Sequence, residues 1–231
     1  MTAAPFVLFG PSHLAGLAAA AAAGACMPFL ARRLSAQGRE AHATWALVGA
    51  IVFYQVGSFV WRVGIMGIPW IADLPLHLCD INAILCAIML VARSHRIYQV
   101  AYFWALGGSV PALLTPDLQY AFPHFTFLVF FLGHTVVIMS ALYATFAYGF
   151  RPRLRSIGIT LAVTALYAAL IAPVNFLLGT NYLYLRAKPA AGSVLDYFGP
   201  WPWYLLGLAG LAVVMCFACY APFALARPKP R

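Results

Sequence analysis

The chain has 231 residues, 64% of them hydrophobic and 8% charged, where an ordinary soluble domain carries about 25% charged residues. So few charges cannot cover a water-facing surface, and a mean hydropathy of +0.88 makes lipid the natural solvent. The net charge of +9 does not indicate nucleic acid, because the basic residues fall in short runs between apolar stretches, the pattern of membrane topogenesis.

A spanning helix needs about 20 mostly apolar residues. Seven segments qualify, near 12–31, 44–62, 75–92, 97–114, 125–148, 157–178 and 203–225. The expected fold is all-α: one transmembrane domain over residues 1–231, built as a seven-helix bundle. The first segment, LAGLAAAAAAGACMPFLA, is rich in small side chains, which let helix backbones approach closely in a membrane. The preceding MTAAPFVLFGPSH lacks the basic opening of a secretory signal, so the segment is expected to be retained. Pro111 in the fourth segment and Pro173 in the sixth each remove a backbone donor and are expected to bend their helices. Cys26, Cys79, Cys86, Cys216 and Cys219 all lie in apolar stretches, which implies no disulfide framework.

The connections divide by charge. Arg32, Arg33, Arg39, Arg93, Arg96, Arg151, Arg153, Arg155, Arg227, Lys229 and Arg231 fall on one side, leaving Arg62, Arg186 and Lys188 on the other. The positive-inside rule makes the first side cytoplasmic. The amino terminus is then outside and the carboxyl terminus in the cytoplasm. That cytoplasmic half reads as almost wholly apolar within the membrane.

Ionisable residues inside a membrane point to function by default, and three clusters meet in the outer half. The first, His77-Leu78-Cys79-Asp80, opens the third segment, with His77 and Asp80 on one helical face. The second runs from His124 at the entry of the fifth segment to His134 in Phe130-Phe131-Leu132-Gly133-His134. The third holds Asn175, Asn181, Tyr182, Arg186 and Lys188; its cations suit a phosphate or carboxylate. Each cluster also has a structural reading, as a polar helix entry, an interhelical hydrogen bond or a belt of interfacial side chains. A cysteine and a histidine from different helices can form a thiolate and its base, with Cys79 or Cys86 as the thiol. A metal site from His77, His124, His134 and Asp80 lacks any tight ligand spacing, and neither a metal nor another cofactor is expected.

The strings LPLHLCDI, PDLQYAFPHFTFLVFFLGHT, NYLYLRAKP and SVLDYFGPWPWYLL resemble the YwaF family of bacterial integral membrane proteins. Animal transmembrane protein 164 is a distant relative. The resemblance runs from about the second helix to the end of the chain. It implies a multi-pass protein of the cell membrane, in bacteria the cytoplasmic membrane. It further implies a cysteine-centred acyltransferase that moves fatty acyl chains between phospholipids. Cys79 is then the nucleophile and His134 the base, with His77 and Asp80 assisting. His124, Asn175, Asn181, Tyr182, Arg186 and Lys188 are the candidate contacts to a phospholipid or lysophospholipid. A small-solute transporter and a non-enzymatic seven-helix protein are the alternatives.

Overall fold

The computed structural model describes residues 4–189 and 193–226. Its α-helices are α1 (Pro11–Ala36), α2 (Glu40–Phe59), α3 (Leu78–Ala92), α4 (His95–Leu114), α5 (Phe125–Ala147), α6 (Leu154–Leu178) and α7 (Trp203–Leu225). Six are long and apolar enough to cross a bilayer, α2 together with the wider π-helical turn Val60–Ile65 that continues it. The third is shorter than expected. In place of a span over 75–92 there is a 15-residue helix, about 22 Å long against a hydrocarbon core of about 30 Å. The cause is local. A short 3-10 turn occupies Trp70–Asp73, and His77 keeps an extended backbone (φ −68°, ψ 153°) as the N-cap of α3.

The connections sort onto two faces. Here the side on which α1, α3, α5 and α7 begin is the cap face, and the opposite side is the base face. On the base face Arg93 pairs with Glu40 at 2.6 Å, and the guanidinium groups of Arg32, Arg93 and Arg151 lie over the rings of Phe146, Tyr148 and Phe223. Arg227, Lys229 and Arg231 lie outside the described residues. On the cap face the stretch before α1 pairs with the α4–α5 connection through Phe6 N–H to Gln119 O (2.9 Å). The fully buried His13 fastens it further: Nδ1 accepts from Phe9 N–H, and Nε2 donates to Leu113 O, both at 2.9 Å.

Helix α5 is the axis of the bundle, touching α1, α2, α3 and α4, whereas α6 and α7 pack on α4 and on each other. Small residues make the close crossings. A Cβ on Gly16 of α1 would stand 2.6 Å from the Phe131 ring, and one on Gly133 of α5 would stand 2.4 Å from the Tyr54 ring. The outward faces of α6 and α7 expose Leu166, Leu170, Phe176, Leu206 and Val214, a surface only hydrocarbon tolerates. Tyr197, Trp201 and Trp203 are exposed where α7 begins, as interfacial aromatic residues are.

The interior toward the base face is more polar than the sequence suggests. Ser156 donates to Gln99 Oε1 (2.9 Å), Thr160 to Gln99 O (3.0 Å), and Trp104 Nε1 to Thr164 Oγ1 (2.8 Å). These groups satisfy one another between α4 and α6, so the polarity is invisible in hydropathy. Helices α4 and α6 both continue through their prolines, Pro111 and Pro173.

Candidate functional site

The polar groups of the cap face converge on the amino terminus of α3. His77 caps the helix in backbone geometry only; no side chain bonds the first-turn N–H groups. Cys79 is the second residue of α3. Its thiol lies within electrostatic reach of Asp80, Tyr54 and Tyr184. The Tyr54 hydroxyl of α2 donates to Asp80 Oδ1 at 3.0 Å, and Gln55 Nε2 donates to Asp80 O at 3.1 Å. Tyr54 also fills the notch left by Gly133, so one phenol joins α2, α3 and α5.

Above this layer Arg62 Nε meets Asp73 Oδ1 at 2.5 Å, with the Asp73 side chain only 8% exposed. Burial nevertheless holds Asp73 above the usual carboxylate range, with Arg62 pulling the other way. Burial also pushes the His77 imidazole down to about 4; Arg62 adds to this and Asp117 opposes it. His77 is therefore neutral at physiological pH. Its ring is held by Tyr182 (centroids 5.2 Å, edge-on) and Tyr184 (5.6 Å, tilted).

Both tyrosines come from the connection after α6. Asn175, fully buried, donates to Tyr182 O (2.8 Å) and accepts from Tyr182 N–H (2.7 Å) and the Thr180 hydroxyl (2.9 Å). The Tyr182 hydroxyl accepts from Leu74 N–H (3.1 Å) and donates to Ile71 O. Tyr167 of α6 donates to Leu76 O at 3.0 Å. Leu183 and Tyr184 both have left-handed backbones, φ 60° and 52°, a conformation costing an L-residue about 1–2 kcal/mol. Tyr204 locks the turn by donating to Tyr184 O at 2.5 Å, and the Tyr184 hydroxyl donates to Asp117 Oδ2 at 3.3 Å.

The expected site residues divide accordingly. His77, Cys79, Asp80 and Tyr182 share this cluster. Asn175 and Asn181 build the loop that closes it: Asn181 Oδ1 accepts from Arg186 N–H (2.9 Å) and Ala187 N–H (3.1 Å). Arg186 Nη1 donates to Asn175 O and Thr180 O at the end of α6, where the helix dipole favours a cation. Lys188 lies 3.8 Å from Asp196 and 5.7 Å from the Tyr204 ring centre. His124 is the N-cap of α5, bonded to Thr126 and tilted against the Tyr120 ring, with 4.4 Å between ring centres. His134 is buried on α5, with Nδ1 bonded to Phe130 O at 2.8 Å and no hydrogen bond to Cys79. Cys86 lies fully buried in the apolar core.

Sequence reasoning missed Tyr54, Tyr184 and Tyr167, and the Tyr-Gln pair inside the apolar run of α2 was the available signal. Among the described residues no three His, Cys, Asp or Glu side chains are grouped to hold a metal ion. A groove of about 630 Å³ between α1 and α5, lined by Gly16, Ala20, Phe127, Phe131 and Thr135, includes none of the cluster residues.

The model of the TMEM164 family matches residues 8–220, and the chain belongs to that family. No curated protein and no solved structure matches it.

Proposed function

Starting from membership of the TMEM164 family, we propose that this chain is a membrane-embedded acyltransferase in which Cys79 carries a fatty acyl group between phospholipids. The observation that supports the reading is the place of Cys79, in the first turn of a helix whose amino terminus has no side-chain cap. Asp80 N–H already donates to His77 O at 3.1 Å, which leaves the N–H groups of Leu78 and Cys79 as the ones without an intrahelical partner. They favour negative charge nearby, which helps form a thiolate. The same donors suit the oxyanion of a tetrahedral intermediate.

Two imidazoles are candidates for the proton of the thiol. His134 is the one the family resemblance favours. A carbonyl only accepts, so His134 Nδ1 carries the hydrogen bonded to Phe130 O, and Nε2 offers its lone pair. Arg186 and Lys188 lie on the same connection as Tyr182 and Tyr184 and suit the lipid phosphate. In this reading α3 makes the seventh crossing, and the stretch 66–77 that leads into it lies at the membrane interface. The amino terminus is outside, the carboxyl terminus cytoplasmic, and the cap face in the outer leaflet.

The test is transfer of a labelled acyl chain between a phospholipid and a lysophospholipid in proteoliposomes. An acyl-thioester at Cys79 is followed by mass spectrometry. Cys79→Ala is expected to abolish both label and transfer; undiminished transfer in that variant rejects the reading.

A further inference from the structure

We infer that Arg62 anchors the phosphate of the lipid substrate, offering it the outer edge of a guanidinium whose inner edge is held by Asp73. The inference rests on the acyl-transfer reading for its substrate and deepens it by naming the residue that recognises the headgroup. Arg62 lies in the π-helical turn Val60–Ile65, a form of helix found frequently at functional sites. Met66 N–H to Trp61 O (2.9 Å) and Ile68 N–H to Arg62 O (3.0 Å) close that turn. The charge of Arg62 also runs against the bias of the connections, which puts Arg32, Arg93 and Arg151 on the base face.

The side chain is held at one edge and open at the other. Asp73 meets Nε at 2.5 Å from a buried carboxylate, while the Arg62 side chain stays 45% exposed. Among the described residues neither terminal nitrogen of Arg62 makes a hydrogen bond. The N–H groups on that edge form a planar fork that fits two phosphate oxygens at once. The other cations of the cap face are engaged by their own chain. Arg186 Nη1 donates to Asn175 O and Thr180 O, and Lys188 is shared by Asp196 and the Tyr204 ring.

A run of contacts joins this fork to the helix that carries the thiol. Asp73 ends the 3-10 turn Trp70–Asp73, and the Tyr182 hydroxyl grips the chain on either side of it, donating to Ile71 O and accepting from Leu74 N–H. The Tyr182 ring stands edge-on to His77 at 5.2 Å, and His77 is the N-cap of α3, in which Cys79 is the second residue. In a phospholipid the glycerol links the phosphate to the ester carbonyls. A phosphate fixed at Arg62 therefore tethers the ester on the side of the cluster where α3 begins. The Asp73 carboxylate offsets much of the Arg62 charge, so recognition depends on the direction of the N–H groups more than on charge alone. Lysine, a compact ammonium without the planar fork, is then a poor substitute.

The experiment measures displacement of a fluorescent lysophosphatidylglycerol from the purified full chain in a neutral detergent. The competitors are unlabelled lysophosphatidylglycerol, the monoacylglycerol of the same chain, which lacks the phosphate, and inorganic phosphate. Wild type is expected to prefer the lysophospholipid to the monoacylglycerol by about 10–100-fold, the worth of hydrogen bonds to a charged group. Arg62→Gln and Arg62→Lys are expected to cut that preference to about 3-fold or less without weakening the monoacylglycerol, whereas Lys188→Gln keeps most of it. Thermal unfolding monitors the fold. If Arg62→Gln does not fold, the double variant Arg62→Gln with Asp73→Asn, which leaves no unpaired buried charge, carries the same comparison. No preference in wild type, a full preference in the folded Arg62 variants, or an equal loss in Lys188→Gln overturns the inference. Inorganic phosphate that competes as tightly as the lysophospholipid also overturns it, by making free phosphate the ligand. Binding needs no turnover, so Cys79→Ala is expected to keep the preference. Transfer that survives Cys79→Ala rejects the acyl-transfer reading, whereas a preference indifferent to Arg62 rejects this inference alone.

Discussion

Replacing Gly133 by alanine tests the joint between α2, α3 and α5. The new methyl would meet the Tyr54 ring at 2.4 Å from Cε2 and 2.6 Å from Cδ2 and Cζ, where 3.4–4 Å is ordinary contact. The ring must retreat by about 1 Å, enough to break the 3.0 Å bond from its hydroxyl to Asp80. Overpacking costs about 1–3 kcal/mol, and losing a hydrogen bond to a carboxylate about 1.5–3 kcal/mol. Alanine returns about 1 kcal/mol of helix propensity. The net is about 3 kcal/mol, a fall in Tm of roughly 8 °C at the 2–4 °C per kcal/mol typical of chains this long. Thermal unfolding in detergent micelles measures it. In a Tyr54→Ala background the methyl has room, and its cost should fall below about 1 kcal/mol. An equal cost in both backgrounds would refute the wedge.

Arg62→Leu leaves the Asp73 carboxylate buried without its partner and should destabilise by about 3 kcal/mol; adding Asp73→Asn should restore part of the lost Tm. His77 makes stability depend on pH. Its folded value of about 4 lies below its ordinary 6.5, so its contribution is full above pH 6.5 and is lost as pH falls toward 4. Between pH 6.5 and 5 that loss is about 2 kcal/mol, seen as a difference in the Tm–pH slopes of wild type and His77→Gln. Gly16→Ala should lower Tm through its clash with Phe131, whereas Gly24→Ala, whose nearest neighbour is 3.9 Å away, should be neutral or better.

Where apolar length alone sets the element, the sequence and the structure agree. The stretch 125–148 begins at Phe125, directly after the N-cap His124, and ends one residue beyond α5. The third segment misleads because Leu74, Leu76 and Leu78 look like helix while Pro69, Pro75 and the 3-10 turn keep the backbone extended as far as His77. Chemistry was legible in the same uneven way. His77, Cys79 and Asp80 announce themselves because charge in an apolar segment is conspicuous. Tyr54 does not, since a phenol in an apolar run reads as core and its partner Asp80 lies 26 residues on. Tyr184 depends on a left-handed backbone that no residue type signals; glycine would have marked it, but the position holds tyrosine.

Helices α6 and α7 pack on α4 and on each other, while α5 gathers the first four. During synthesis the earlier helices leave the ribosome first, and assembly follows that order. The cluster around Cys79, however, takes Tyr167, Tyr182 and Tyr184 from the last third of the chain. A nascent chain halted after α5 would thus already own its thiol yet lack the aromatic wall beside it, so the cysteine waits, unassisted, until the final two helices dock.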